Sequence, residues 1–251
     1  MDLKSHFKII IPSYNNEKWI GTCLKSVKMQ EHNDYQCIII DDMSTDKSIA
    51  IIKKYIRNDS RFVLVENKER KLALKNIHES IELSTPDDEN IIITLDGDDW
   101  LSKKDVLTIV AKKYDEEKCW MTYGSYVEYP SKQKGKFSRQ IPNHIIENNA
   151  FRESEWMSSH LRTFKYKLWK KIKKEDLLED DGRFCDGAWD MRFMFPMLEM
   201  SGNKSLFIEN ILHVYNRSNP LNEDKVDHQK LMRSEAKIRK KIKYKEVQEK
   251  K

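Results

Sequence analysis

Apolar residues along this chain come in short blocks of two kinds, and the two kinds alternate. Residues 7–11, 36–40, 62–65 and 91–95 are runs of four or five positions dominated by Ile and Val, the composition of strands covered on both faces. Between them, apolar residues recur every three or four positions, the period of one helix face. Trp19, Ile20, Cys23, Leu24 and Val27 form one such set, Ile49, Ile52, Tyr55 and Ile56 a second, and Leu72, Leu74, Ile77 and Ile81 a third. Ser44 or Thr45 stands where a side-chain cap for the second helix is needed. Strand alternating with helix predicts an α/β fold with a mostly parallel sheet flanked by helices.

Beyond residue 101 the pattern loosens. Val106, Leu107, Ile109 and Val110 mark another helix, and residues 120–127 read as a strand. Residues 128–149, with Pro130, Gly135 and Pro142, read as a mobile loop over one face. Residues 158–164 and 185–190 bracket a Lys-rich helix. Arg192, Phe193, Phe195, Met197, Leu198 and Met200 continue as a helix ended by Ser201-Gly202, and residues 206–214 form a last apolar run. From residue 223 on, Leu231, Ala236 and Ile238 are too sparse for a deep core. The expected division is one domain over 1–222, in two parts, 1–127 and 128–222, followed by a charged helical tail over 223–251.

Acids gather where these strands end. Asp41 and Asp42 follow the second run, and Asp96, Asp98 and Asp99, separated only by Gly97, follow the fourth. The carboxyl ends of strands are where open α/β sheets bind ligands. Three carboxylates within four residues repel one another, a divalent cation removes that repulsion, and hard oxygen ligands suit magnesium or manganese better than zinc. A lone Asp-Gly would read as a solvated turn; the apolar run before it and the third acid after it favour a ligand site. No GxGxxG and no GxxxxGK[ST] occurs, so phosphates bound here would have to be held by a metal and side chains.

Composition narrows the classes further. With 39% hydrophobic and 10% aromatic residues, the chain has enough apolar surface to fold despite 35% charged residues. The formal net charge of +5 comes largely from Lys runs at 170–174 and 237–243. Such runs read as solvated helix faces rather than a nucleic-acid surface, with peripheral membrane contact through the basic tail left open. Cys23, Cys37, Cys119 and Cys185 lie far apart with no CxxC, the usage of reduced structural thiols in a cytosolic protein. Neither a leader-type apolar segment nor a run of about twenty apolar residues is present, so a soluble, cytoplasmic protein is expected.

Three blocks carry a family resemblance: Ile9-Ile10-Ile11-Pro12-Ser13-Tyr14-Asn15, Ile39-Ile40-Asp41-Asp42-Met43-Ser44-Thr45-Asp46, and Leu95-Asp96-Gly97-Asp98-Asp99-Trp100. In order and spacing they resemble the signature blocks of family 2 glycosyltransferases with the GT-A fold, over about residues 5–125. The resemblance implies a donor-binding half (1–127) and an acceptor-side half (128–222). It implies a nucleotide-sugar donor, a UDP-sugar foremost, and inverting transfer of a hexose-type sugar to a glycan, protein or lipid-linked acceptor. Pro12, Ser13, Tyr14 and Asp42 are then nucleoside contacts. Lys71, a further donor contact in this resemblance, matches the basic residue ahead of a segment that appears here as Ala73-Leu74-Lys75-Asn76, without the usual glycines. Asp96 and Asp98 match the DxD element that holds ribose and diphosphate. Asp98, Asp99 and His213 form the implied Mn2+ or Mg2+ set. Asp190 matches the catalytic base that opens a helix; the acid that usually precedes it is replaced by Trp189, which makes Asp186 a rival. His160 and Arg162 are candidate acceptor or diphosphate contacts.

The chemistry agrees with that resemblance. Breaking an anomeric C–O bond releases a nucleoside diphosphate whose charge a cation can neutralise, while a carboxylate takes the acceptor's proton. A sugar-nucleotide-forming nucleotidyltransferase is disfavoured, since Pro12-Ser13-Tyr14-Asn15 lacks a Gly-rich phosphate loop. A non-catalytic nucleotide-sugar or glycan binder is the alternative that the altered motifs leave open.

Overall fold

The computed structural model describes residues 3–248. Its first part is a repeating strand and helix: β1 (Phe7–Ser13), α1 (Ile20–Lys28), β2 (Tyr35–Asp41), α2 (Ser48–Ile56), β3 (Phe62–Glu66), α3 (Leu72–Leu83) and β4 (Ile91–Thr94). A two-residue strand β5 (Trp100–Leu101), α4 (Val106–Glu117) and the long β6 (Met121–Tyr129) follow. The remainder carries α5 (Asn143–Glu147), β7 (Arg162–Lys165), α6 (Tyr166–Trp169), α7 (Trp189–Ser201), β8 (Ser205–Asn216), α8 (Glu223–Val226) and α9 (His228–Arg239).

Among the described residues, eight strands join one sheet in the order β3-β2-β1-β4-β7-β6-β8-β5. The first four pair in parallel, β7 runs antiparallel between β4 and β6, and β8 runs parallel to β6. The strands are apolar on both faces because both faces are covered. Ile9, Ile11, Cys37, Ile39, Ile91 and Ile93 pack with α1 and α4 on one side. Their neighbours Ile10, Ile38, Ile40 and Ile92 pack with α3 and α7 on the other. Successive side chains of a strand point to opposite faces, so a continuous Ile run serves two cores at once.

Three expectations about the second half need correction. The Lys-rich stretch is not a long helix: it is the four-residue α6 and a short 3-10 turn at Lys174–Leu177. Its lysines are drawn to acids before β4, Lys167 to Glu89 at 2.8 Å and Lys170 to Asp88. Residues 128–149 are anchored, because Ile141 and Ile145 are buried and the Ile141 N–H donates to the Tyr123 hydroxyl at 3.0 Å.

The segment after residue 222 is helical but not an appendage. Ile238 is only 1% exposed and joins the core containing α7. Next to it the buried Arg152 and Glu199 pair at 2.5 Å, with Arg152 also donating to the Ile238 carbonyl and Glu199 accepting from the Tyr244 N–H. Residues 249–251 of the expected tail, and 1–2 of the expected domain, lie outside the described residues. The four cysteines are buried free thiols.

Candidate active site

At the carboxyl ends of β1, β2 and β4 the chain leaves the sheet in three loops that meet. Pro12, Ser13, Tyr14, Asp42, Asp96 and Asp98 surround a cleft of about 320 Å³. Gly97 is needed for that meeting: a Cβ there would stand 2.9 Å from the Asn16 amide and 3.0 Å from the Pro12 carbonyl. The acidic loop can therefore lie flat against the loop after β1 only without a side chain.

Asp42 is buried and its oxygens are heavily solicited. Oδ1 accepts from the Asn67 amide at 2.9 Å and the Lys71 N–H at 2.8 Å, Oδ2 from the Leu72 N–H at 2.9 Å, and the Arg70 guanidinium lies 3.2 Å away. Burial pushes its carboxyl up, but these donors together hold it below the ordinary range. The arrangement turns Lys71 outward. Its ammonium pairs with Glu79 at 2.7 Å, away from the cleft, which corrects the expectation that its side chain faces the donor. Arg70 takes that place, with its guanidinium 3.3 Å from the centroid of the Tyr14 ring. Leu72, which follows directly and opens α3, has φ +65.

The acidic cluster divides into residues of different orientation. Asp96 and Asp98 line the cleft, Asp98 accepting from the Asn219 amide at 2.7 Å. Asp99 turns inward: it is fully buried, and its two oxygens face the Asn216 N–H and His213 Nε2, each at 2.8 Å. That orientation ties the acidic loop to the end of β8 and sets the Asp99 carboxylate beside the His213 and His160 rings. Asp98 is pushed up to about 8 by burial and then by Asp99 and Asp96. Asp99 is raised well above its ordinary value by burial and Asp96, and Asp96 is raised by burial against the pull of Arg162.

Two imidazoles stand behind these acids. His213 and His160 have ring centroids 4.4 Å apart, and His213 Nδ1 and His160 Nε2 are buried without hydrogen-bond partners among the described residues. Burial holds His213 down to about 3 and His160 well below its ordinary value, so both rings are neutral. Asp99, His160 and His213 bring possible ligand atoms within 4.8 Å of one another. A neutral imidazole whose far nitrogen is fixed by a carboxylate is the arrangement found behind metal-binding histidines. The unpaired nitrogens and the crowded carboxyls fit a divalent cation; Asp99, with His160 and His213, could hold it.

A second, larger cleft of about 740 Å³ opens beside the first, and His160, Asp190, Tyr215 and Glu223 line both. Asp190 sits in the first turn of α7. Arg162, at the start of β7 and buried, donates to Asp190 Oδ2 at 2.8 Å, to Asp96 at 3.3 Å and to the Thr94 hydroxyl at 3.3 Å, with its guanidinium 5.1 Å from the Trp189 ring. Asp186 lies elsewhere: it pairs with Lys230 at 2.6 Å and borders a small surface recess with Glu179 and Lys237. Sequence reasoning did not single out Arg70, Asn76, Asn219, Tyr215 or Glu223. The run Tyr215-Asn216-Arg217-Ser218-Asn219 directly after an apolar strand was the available signal, since strand ends already pointed to ligand contacts.

Comparison with known proteins agrees with this geometry. The model of the family described as glycosyl transferase family 2 matches residues 8–187. Glycosyltransferase GlyA of Streptococcus pneumoniae is 24% identical over 217 residues, covering 82% of this chain but 30% of GlyA, so the chain spans under a third of that relative. The crystal structure of Staphylococcus aureus TarS 1-349 in complex with UDP-GlcNAc superposes with a TM-score of 0.68 at 17% identity, over 93% of this chain and 66% of that one. Mannosyltransferase PcManGT from Pyrobaculum calidifontis, in complex with GDP-Man and Mn2+, gives 0.56 at 16% identity, over 88% and 59%. These likenesses carry the GT-A fold, and the match of the family model over most of the length places the chain in glycosyl transferase family 2.

Proposed function

We propose that the chain is a metal-dependent inverting glycosyltransferase that moves a sugar from a UDP-sugar to a hydroxyl of a glycan acceptor. The observation that carries this reading is the position of Asp190 on the wall shared by two clefts, linked through Arg162 to Asp96 in the first. In this reading the nucleoside lies among Pro12, Ser13, Tyr14 and Asp42, the ribose against Asp96, and the diphosphate near Asp98. A divalent cation bound there supplies neutralisation of the charge that develops on the leaving diphosphate. A mixed carboxylate and imidazole set suits Mn2+ better than Mg2+, which favours octahedral oxygen donors and keeps its waters.

Asp190 then accepts the proton of the acceptor hydroxyl as that oxygen attacks the anomeric carbon from the face opposite the diphosphate, and configuration inverts. One carboxylate suffices, because the leaving group needs no protonation of the kind glycosidases provide. The larger cleft supports a neutral glycan over a polyanion as acceptor. Its guanidiniums are already matched by carboxylates, Arg139 by Glu155, Arg217 by Asp224 and Arg239 by Glu235. Phe137, Trp156 and Tyr215 offer ring faces of the kind sugars stack on.

The test is release of nucleoside diphosphate from a panel of UDP- and GDP-sugars with Mn2+ or with EDTA, with neutral oligosaccharides as acceptors. Turnover of a UDP-sugar that EDTA abolishes is the expected outcome. Binding of UDP-sugars with no turnover under any of these conditions would instead establish a binding protein.

A further inference from the structure

Helix α7 begins in an unusual way. Its N-cap, Ala188, is in the left-handed region at φ +47 and ψ +37, and no side chain of its own segment caps the helix. A left-handed alanine costs on the order of 1 kcal/mol and persists only where its surroundings hold it. The surroundings come from the far end of the chain. Glu223, the first residue of α8, reaches back so that Oε1 accepts the Ala188 N–H at 2.9 Å. On the same side Ser234 of α9 presses against Gly187, where a Cβ would stand 2.5 Å from its hydroxyl, and Lys230 pairs with Asp186 at 2.6 Å. The turn over 186–188 is thus gripped by residues 223–234, two positions before Asp190.

We propose that Glu223 is a positioning residue of the transfer reaction: a carboxyl supplied by the C-terminal segment that caps the left-handed turn at Ala188 and so sets Asp190 on the wall between the two clefts. This rests on the reading of Asp190 as base. The grip has a geometric reason. The Asp190 carboxylate is held by Arg162, which also answers to Asp96, and by the adjoining Met191 N–H at 3.0 Å, itself part of the first turn of α7, so the direction of that turn has to be fixed from the backbone. Glu223 does that while itself lining both clefts. Burial, and then the nearby Asp190, push the Glu223 carboxyl up to about 8, so at neutral pH it acts as an uncharged acceptor that adds no negative charge beside the base.

What matters on this account is an acceptor oxygen of the right reach, not an ionisable carboxyl, and conservative variants separate the two. Glu223→Gln keeps an oxygen for the Ala188 N–H, Glu223→Asp keeps the acid but retracts it by one methylene, and Glu223→Ala removes both. UDP release from UDP-N-acetylglucosamine with Mn2+ is measured for all three beside Asp190→Asn, together with hydrogen exchange of a peptide spanning residues 186–192. We expect Glu223→Ala to lower kcat at least tenfold with donor KM within threefold of wild type and faster exchange in that peptide. Glu223→Gln should stay within threefold of wild type in both readouts, and Glu223→Asp should fall below Glu223→Gln. Glu223→Gln as slow as Glu223→Ala, or slower than Glu223→Asp, overturns the proposal, because the acid itself would then be required. Unchanged exchange in Glu223→Ala overturns it as well, and exchange decides the matter even if UDP-N-acetylglucosamine is not turned over or Glu223→Ala does not fold, since Glu223→Asp should then exchange faster than Glu223→Gln. Full activity of Asp190→Asn would remove the base reading while leaving the exchange result standing.

Discussion

Arg162 holds Asp190 at 2.8 Å from beneath the wall that separates the two clefts, and it is almost completely enclosed, with a side chain 2% exposed. The same guanidinium reaches Asp96 at 3.3 Å. A buried arginine shared by two carboxylates cannot be removed without leaving both unpaired, a loss of about 3–5 kcal/mol for such pairs. Arg162→Ala should therefore lower the melting temperature by well over 5 °C and abolish turnover. Arg162→Lys, which keeps the charge but loses the two-pronged geometry, should fold and retain about a tenth of wild-type kcat or less. Calorimetry and initial rates check both; wild-type kcat in Arg162→Lys would show that the fork between Asp96 and Asp190 is dispensable.

Asp98→Asn keeps shape while deleting an anionic donor from the cleft. Most transferase activity should be lost, and Mn2+-dependent UDP affinity should fall at least tenfold, read by calorimetry with and without the metal. Activity at the wild-type level in the presence of EDTA would end the metal reading. His213→Ala should weaken Mn2+ dependence in the same direction, since it removes an unpaired buried nitrogen as well as the partner of Asp99.

Asp190 and Asp186 are separated by their surroundings. Asp190→Asn should leave UDP affinity within about threefold of wild type while kcat drops by roughly 10² to 10⁴, the range for loss of a general base. Asp186→Asn should keep kcat within about threefold, because Asp186 faces Lys230 and a surface recess. The reverse pattern would move the base to Asp186.

Asp42→Ala removes the acceptor of two backbone N–H groups where α3 begins, as well as the partner of Arg70. At about 1–3 kcal/mol for such losses, donor KM should rise roughly 10- to 100-fold and thermal stability should fall together with it. An unchanged titration of UDP would place the nucleoside elsewhere.

A pH dependence of stability follows from Glu223. Its carboxyl is raised to about 8 in the fold, by burial first and Asp190 second, against an ordinary 4.5. Between those values the folded chain keeps a proton that the unfolded chain has released, so this group's contribution is present below about pH 4.5 and is lost as pH rises through 8. Glu223→Gln cannot ionise. Its stability should match wild type at pH 5 and exceed it at pH 9 by on the order of 2–4 kcal/mol. Urea unfolding at the two pH values measures this, and an equal difference between the variants at both would show that the carboxyl does not titrate in that window.

Much of the first half was determined by sequence alone, and the reason is locality. The Ile runs could only be strands covered on both faces, helix-period residues could only face one side, and acids directly after strands had to emerge at one edge of a parallel sheet. That edge is where Pro12, Ser13, Tyr14, Asp42, Asp96 and Asp98 meet. Orientation within those loops was decided only by the tertiary structure. Asp98 and Asp99 are neighbours in sequence, yet one lines the cleft and the other is claimed by the end of β8, more than a hundred residues away. Lys71, expected among the donor contacts, pairs with Glu79 outside the cleft, and Arg70 lines it instead. The C-terminal segment looked too sparse in apolar residues to join the core, but one buried isoleucine, the Arg152–Glu199 pair and the reach of Glu223 to Ala188 attach it to α7. Periodicity records which face of an element is buried; it carries no information on which distant polar group completes a carboxylate's hydrogen bonds, and those long-range pairings orient the acids of this site.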